Sequence, residues 1–422
     1  MHKNIFRSKV SLFVLLVVGA ILVSQVSKSV NAQGSASSKI PGQYIVVLRD
    51  NTQNPQDVAN EMAKSNSLTV GNVYTRALKG FSATIPAVRL ENIKNDSRVQ
   101  FVSEDREVSA FAKPTPVAIP QTTPTGISRI QAPLTANKGA GIGIAVLDTG
   151  IDLTHPDLKA NIVANTSCVR SKQTGNDDNG HGSHVAGTIA ALDNGIGAIG
   201  VAPQAKLAAV KVLNSSGSGT WSSVICGIDW VTANATQYNI KVANMSLGGA
   251  GTSDNNCGNS NNDALHKAIC NSTAVGVTYV VAAGNDGANA SNSVPASYDD
   301  SVITVSALAD SDGKSGGLGS ATSYGADDTF ASFSNFGDVV DLGAPGVNIF
   351  STWKSGGYNT INGTSMATPH VAGAAALYIN SHPGSVWSQV RDGLKAVGES
   401  VGAGHTDPSG LHLEQVVQVN AL

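Results

Sequence analysis

Apolar runs of strand length alternate with segments of helical spacing over the last three hundred residues of the chain. The apolar runs cover residues 142–147, 208–213, 242–245, 277–282 and 302–305, and the helical segments cover residues 181–192, 221–233, 261–274 and 366–380. Runs that are apolar at every position are typical of strands buried on both faces of a parallel sheet. The pattern therefore predicts a doubly wound, mostly parallel α/β domain, with its functional site at the carboxyl ends of the strands.

A different pattern precedes this domain. Residues 43–48, 69–74, 80–85 and 99–103 have the spacing of strands, and residues 55–65 and 87–94 have that of helices. The order strand-helix-strand-strand-helix-strand predicts a small α+β, ferredoxin-like domain. Residues 113–124 contain four prolines without periodicity and are interpreted as a linker. We thus expect a small domain over residues 33–112 and a large one over 113–422.

The N-terminus has the features of a secretory signal. Lys3, Arg7 and Lys9 give it positive charge, residues 10–23 are apolar, and small residues lead up to Ala32. This arrangement predicts a cleaved signal peptide over residues 1–32, with an uncleaved membrane anchor as the alternative. The rest of the chain has no stretch apolar enough to cross a bilayer. A secreted protein without a stable membrane anchor is expected.

Composition narrows the possible partners and the role of the cysteines. The chain has 422 residues and a formal net charge of -3, which gives no indication of a nucleic-acid partner. Its four cysteines contain no Cys-x-x-Cys pair, and in a secreted protein they predict disulfides. Three pairings are possible. The short loop between Cys257 and Cys270 favours that bridge, which leaves Cys168 for Cys226.

Three motifs suggest nucleophilic catalysis. Asp148 follows the first apolar strand in Asp-Thr-Gly, whereas His181 and Ser365 each begin a helical segment, in Gly-His-Gly-Ser-His and Gly-Thr-Ser-Met-Ala. A serine hydroxyl needs a base, a histidine titrates near neutral pH, and an aspartate can hold the imidazole in the required tautomer. Asn285 ends another apolar run and could donate to an oxyanion together with the Ser365 N–H.

These four motifs together resemble the subtilisin family over residues 121–415, and residues 41–112 resemble that family's inhibitory propeptide. The run Val294-Pro295-Ala296-Ser297 and the cysteines are similar to the proteinase K branch. The resemblance implies a monomeric, secreted serine endopeptidase that acts through an acyl-enzyme on Ser365. It also implies a zymogen that processes itself near Ala112, and broad cleavage of proteins and peptides after hydrophobic residues.

The resemblance further implies substrate and calcium contacts. Positions matching the family's substrate cleft are Gly217, Ser218, Gly219, Ser246, Leu247, Gly248, Ala282, Ala283 and Gly284. Positions matching a structural Ca²⁺ site are Gln121, Asp157, Leu192, Asn194, Ile196 and Ala198. Side-chain and carbonyl oxygens in this number suit Ca²⁺. Asp193 and Gly195 depart from the family pattern and are not required as ligands.

Other functions fit the sequence less well. An aspartic protease needs a second Asp-Thr-Gly or Asp-Ser-Gly, which the chain lacks. A zincin would have a glutamate between His181 and His184, and Ala367 breaks the Gly-x-Ser-x-Gly pattern of an α/β-hydrolase. Asp310 and Asp312 are interpreted as a solvated turn rather than a second metal site. An inactive binding protein on a protease fold is the remaining alternative, and its usual sign, a missing catalytic residue, is absent.

Overall fold

The structure is a computed structural model, and it describes residues 39–110, 115–117, 120–169 and 173–422. The predicted signal peptide and the predicted cleavage position near Ala112 lie outside the described residues. Among the described residues, no helix combines the length and apolarity needed to cross a membrane.

The first part of the described chain is a small α+β domain. Its elements are β1 (Lys39–Leu48), α1 (Pro55–Asn66), β2 (Thr69–Tyr74), β3 (Gly80–Thr84), α2 (Ala87–Lys94) and β4 (Val99–Ala110). The four strands pair antiparallel in the order β4-β1-β3-β2, as the predicted ferredoxin-like arrangement requires. Asn54 caps α1 by accepting hydrogen bonds from the N–H groups of Gln56 and Asp57.

The remaining elements form the large domain. The helices are α3 (Thr125–Arg129), α4 (His181–Ala190), α5 (Trp221–Asn234), α6 (Ala264–Thr273), α7 (Thr364–Ser381) and α8 (Trp387–Val397). The strands are β5 (Thr115–Val117), β6 (Gly143–Asp148), β7 (Ile162–Ser167), β8 (Lys206–Lys211), β9 (Ser218–Thr220), β10 (Ile240–Met245), β11 (Leu247–Ala250), β12 (Thr278–Ala282), β13 (Ser293–Val294), β14 (Val302–Ala309), β15 (Thr329–Phe330), β16 (Leu342–Pro345), β17 (Ile349–Trp353), β18 (Gly357–Ile361) and β19 (Gln415–Val416).

The central sheet confirms the doubly wound prediction. Its strands follow the order β19-β16-β14-β12-β10-β6-β8-β7 and are parallel throughout, with β15 added antiparallel to β14. After β6 the chain builds β7 and β8 on one side, and it then crosses to start β10 on the other. The crevice between β6 and β10 is thus a topological switch point, where α/β proteins bind their ligands.

Apolar side chains fill both faces of this sheet. One face packs against α4 and α7, and the other packs against α5 and α6. The second core also takes in side chains of the small domain, namely Ile45, Val47, Tyr74, Ala77, Leu78 and Val108. The small domain keeps a further core between its own sheet and helices. The two domains therefore share part of their buried apolar surface.

Several elements differ from the sequence-based expectation. The predicted linker contains a strand, β5, that pairs antiparallel with β18. Strand β4 continues to Ala110, seven residues beyond the predicted end at residue 103, because other strands pair with its extension. Helix α8, with a short apolar face, was not predicted. The structure contains both favoured disulfides, Cys168–Cys226 and Cys257–Cys270.

Candidate active site

Asp148 and His181 meet at the carboxyl end of β6. Asp148 is the last residue of β6, and His181 is the first residue of α4. The His181 Nδ1 atom lies 2.8 Å from Asp148 Oδ1 and 3.0 Å from Oδ2. Both side chains are buried, so the carboxylate can fix the ring orientation and stabilise an imidazolium without competition from water.

The start of α4 is held by a second carboxylate that sequence analysis missed. Asp177 accepts hydrogen bonds from the N–H groups of Asn179 and Gly180 and from both the N–H and the hydroxyl of Ser183. It also accepts one from the hydroxyl of Thr149, the residue after Asp148. Asp177 therefore ties the strand that carries Asp148 to the helix that carries His181. In the sequence, only its position four residues before His181 could have indicated this role.

A glycine permits this close packing. A Cβ atom on Gly182 would collide with the carbonyl oxygen of Gly150. The Gly182 N–H donates to Thr149 Oγ1 at 2.9 Å. The glycine after His181 in the motif is thus required by the approach of α4 to the loop that follows β6.

A buried lysine supports the same loop. The Lys211 Nζ atom donates to the carbonyl oxygens of Thr149 and Leu213 and pairs with Asp178 at 2.7 Å. Lys211 is fully buried, so these oxygens replace the water that its charge would otherwise require. Lys211 lies within a predicted strand, and its neighbours in the sequence gave no indication that it supports the site.

Ser365 lies in the first turn of α7. Its hydroxyl donates to the Ser246 carbonyl oxygen at 3.1 Å, and the Ser246 hydroxyl donates to the Ser365 carbonyl oxygen at 2.8 Å. Among the described residues, His181 Nε2 has no hydrogen-bond partner. The structure thus bonds Asp148 to His181 and the serine hydroxyl to Ser246, and it packs α4, which begins at His181, against α7, which contains Ser365.

Asn285 lies beside the same helix start. Its Oδ1 accepts hydrogen bonds from the N–H and the hydroxyl of Thr364, both at 2.9 Å. These bonds orient the side-chain amide so that its nitrogen is directed away from Thr364. The Thr364 hydroxyl is also hydrogen-bonded by the N–H of Gly284 at 3.2 Å, which links the end of the β12 segment to α7.

Two further histidines near the site are neutral. Burial lowers the pKa of His184 to about 3 and that of His370 to about 4. His184 Nε2 lies 2.8 Å from the Ile349 carbonyl oxygen, and His370 Nδ1 lies 2.8 Å from that of Met366. Both are helix residues that hold the packing near the site.

The last strand of the small domain lies between two strands of the large domain. Strand β4 pairs antiparallel with β9 on one side, where Ser109 faces Ser218, and with β11 on the other, where Ser109 faces Gly248. Residues predicted to contact substrate therefore form the backbone partners of β4. This is strand addition, the way in which an extended peptide binds to a sheet edge.

Two carboxylates hold the small domain to α5, one from each domain. Asp105 of β4 accepts hydrogen bonds from the N–H of Ser222 at 3.1 Å and from its hydroxyl at 2.6 Å, at the start of α5. In the other direction, Asp229 of α5 accepts from the N–H groups of Thr75, Arg76 and Ala77. Burial raises the pKa of both carboxyl groups. Sequence analysis named neither residue, because these contacts join residues that are far apart along the chain.

The residues predicted for calcium surround one loop. The Asp157 side chain is buried, with Oδ2 accepting from the Ala198 N–H at 3.0 Å, and Oδ1 without a hydrogen-bond partner among the described residues. Gln121 lies beside this loop and donates through Nε2 to Asp193. Burial raises the pKa of Asp157 to about 6. A buried carboxylate oxygen without a donor, next to amide and carbonyl oxygens, fits a hard cation.

Comparison with known proteins agrees with this geometry. Residues 139–402 match the subtilase family, and residues 43–111 match the peptidase inhibitor I9 family. The chain is 37% identical over 408 residues to subtilisin E of Bacillus subtilis (strain 168), covering 94% of this chain and 95% of that protein. It is 42% identical over 343 residues to an alkaline protease of Alkalihalobacillus alcalophilus, covering 78% of each.

A solved structure is similar to the chain over most of its length. The crystal structure of a cold adapted subtilisin-like serine proteinase superposes with a TM-score of 0.57 at 36% identity, covering 70% of this chain and 97% of that one. The subtilase match covers the domain that contains Asp148, His181 and Ser365, and the I9 match covers the small domain. The chain belongs to the subtilase family of serine endopeptidases and carries an I9 inhibitor propeptide ahead of its peptidase domain.

Proposed function

We propose that this serine endopeptidase is a secreted, broadly specific enzyme, made as a zymogen that cleaves itself, with Asp148, His181 and Ser365 as its catalytic triad. The observation that carries this proposal is the insertion of β4 between β9 and β11, which contain residues predicted to contact substrate. A strand bound there is held as a substrate would be. The chain that follows this strand would then contain the first peptide bond that the enzyme can cut.

The proposed chemistry uses each side chain at a defined atom. The Ser365 hydroxyl leaves its bond to Ser246, gives its proton to His181 Nε2, and attacks the peptide carbonyl carbon. Asp148 stabilises the imidazolium through Nδ1. The negative oxygen that forms accepts hydrogen bonds from the Asn285 amide and the Ser365 N–H. His181 then protonates the leaving amine, and water hydrolyses the resulting acyl-enzyme by the same steps.

Specificity follows from the walls beside the bound strand. We assign one wall to Ser246, Leu247 and Gly248, and the other to Ala282, Ala283 and Gly284. Small and apolar residues of this kind leave room for a large apolar side chain and provide no charge to select a lysine or arginine. The Gly217, Ser218 and Gly219 segment would hold the substrate backbone from the opposite edge.

Cleavage of a peptide library by the mature enzyme tests this specificity. We expect most cuts to follow aromatic and large aliphatic residues, with rates after lysine or arginine at least tenfold lower. Fragment masses identify the cut positions, and a library incubated with Ser365→Ala enzyme controls for contaminating proteases. A dominant preference for basic residues would refute the assigned walls.

A structural calcium ion is the second part of the proposal. Gln121, Asp157 and Asn194 would hold it through side-chain oxygens, and Leu192, Ile196 and Ala198 through backbone carbonyls. The ion would supply positive charge to the buried Asp157 carboxylate and cross-link the 192–198 loop. It would support the fold without taking part in peptide hydrolysis.

Chelation is expected to lower thermal stability. A ligand at 100 times its Kd stabilises the folded state by about 2.7 kcal/mol, so EDTA should lower the melting midpoint by several degrees. Calorimetry at one scan rate, on Ser365→Ala protein that cannot digest itself, measures the shift. In Asp157→Asn protein the effect of EDTA should be smaller. An equal midpoint with and without EDTA would argue against the ion.

A further inference from the structure

A second group of carboxylates lies far along the chain from the 192–198 loop. Asp310 follows β14, Asp312 lies two residues later, and Asp327 closes the loop that leads to β15. One carboxylate oxygen from each lies within 4.8 Å of one from each of the others. The sequence suggested only a solvated turn at Asp310 and Asp312, and it gave no reason to bring Asp327 to them.

The central carboxylate of this group is buried and incompletely bonded. Asp310 is 1% exposed, in contrast to the solvated-turn interpretation. Its Oδ1 accepts a hydrogen bond from the Gly313 N–H at 3.0 Å, whereas Oδ2 has no hydrogen-bond partner among the described residues. Burial raises the pKa of Asp310 to about 7, as expected for a carboxylate that lacks compensating contacts.

Nearby positive charge does not balance the group. The buried Arg129 guanidinium acts electrostatically on Asp310, but it pairs with Asp328 and with Glu399, each at 2.6 Å. One guanidinium thus already faces two carboxylates. Within the described ranges, Asp310, Asp312 and Asp327 form no ion pair with a lysine, arginine or histidine.

The loop backbone provides only part of the compensation. Asp327 accepts hydrogen bonds from the N–H groups of Ser311 and Gly319, both at 2.7 Å, and Asp312 accepts one from Lys314 at 2.9 Å. These neutral donors fix the carboxylates so that they face one another. They cannot cancel three negative charges held so close together.

We propose that Asp310, Asp312 and Asp327 bind a divalent hard cation, Ca²⁺, that clamps the base of the 311–327 loop. Three carboxylates leave room for water and carbonyl oxygens in the coordination sphere that Ca²⁺ prefers. The site shares no residue with the 192–198 loop. Its role is to hold a glycine-rich loop, whose Leu318 side chain is 89% exposed, against the body of the enzyme.

Counting bound calcium tests the proposal. The full chain is prepared with Ser365→Ala to prevent self-digestion, and Ca²⁺ binding is measured by equilibrium dialysis after removal of metals. Asp310→Asn should lose one bound ion, and Asp312→Asn should weaken one site at least tenfold. Asp312 is exposed, so its substitution leaves the fold intact even if Asp310→Asn does not fold. The exposed Asp338→Asn is the matched control and should bind as the parent does.

A second measurement separates this site from the one at Asp157. Chymotrypsin added in the presence of Ca²⁺ should cut after Leu318 at least tenfold faster in Asp312→Asn than in the parent, whereas Asp157→Asn should leave that rate unchanged. Unchanged Ca²⁺ binding in Asp312→Asn would mean that Arg129 and the backbone donors alone balance the cluster, and the proposal would be wrong.

Discussion

Ser365→Ala protein should remain a full-length precursor and should lose peptide hydrolysis by about 10⁶-fold in kcat. The substitution removes the only atom proposed to form a covalent bond to substrate, while the helix start and the Asn285 amide stay in place. Wild-type protein should instead yield two chains, the larger beginning between Lys113 and Gln121. Intact mass and N-terminal sequencing of the secreted protein measure both outcomes.

The matched control is Ser400→Ala, at an exposed serine outside the crevice. It should mature and hydrolyse peptides as the wild type does. Two results would contradict the assignment. One is self-processing of the Ser365→Ala precursor at the wild-type rate, and the other is a wild-type product that still begins at Gln33.

Asp148→Asn should lower kcat by about 10⁴-fold. The substituted side chain is of nearly the same size and keeps one carbonyl oxygen, so the buried site should fold. Its amide hydrogens, however, would favour a His181 tautomer with the proton on Nε2. That nitrogen could then no longer accept the proton of Ser365.

Measuring kcat and KM separately distinguishes a role in catalysis from a role in substrate binding. Asp148 is fully buried and bonded to His181, so KM should stay within about twofold. The variant precursor can be matured by added wild-type enzyme and then purified from it. A loss confined to KM would place Asp148 in substrate binding and refute its proposed role as the group that orients His181.

Much of the fold was predictable because its strands are apolar at every position. Such runs located β6, β8, β10 and β12 to within about two residues, and the motifs at their ends located Asp148 and Asn285. The start of β14 was also located, but that strand continues four residues beyond the predicted end. The disulfide pairing followed from chain separation. The helix starts near His181 and Ser365 could be predicted because each motif begins with a glycine.

The parts that sequence analysis missed depend on distant partners. Strand β4 continues past its apolar stretch because β9 and β11 supply backbone partners to residues with no apolar pattern of their own. Asp177 and Asp105 gain their roles by accepting N–H groups at the starts of α4 and α5. The sequence around a single aspartate does not show that it makes such a contact. In the same way, the sequence does not show that Asp327 lies close to Asp310.

The apolar core shared by the two domains has a consequence for the working life of the enzyme. Ile45, Tyr74 and Val108 pack with the large domain, so removal of the propeptide takes away contacts that were present when the chain folded. A large parallel sheet of distant strand pairs folds slowly without such help. A mature molecule that opens would thus face digestion by its neighbours before it could refold. The lifetime of the mature enzyme is therefore set by its unfolding rate. It is better expressed as a half-life than as an equilibrium free energy of unfolding.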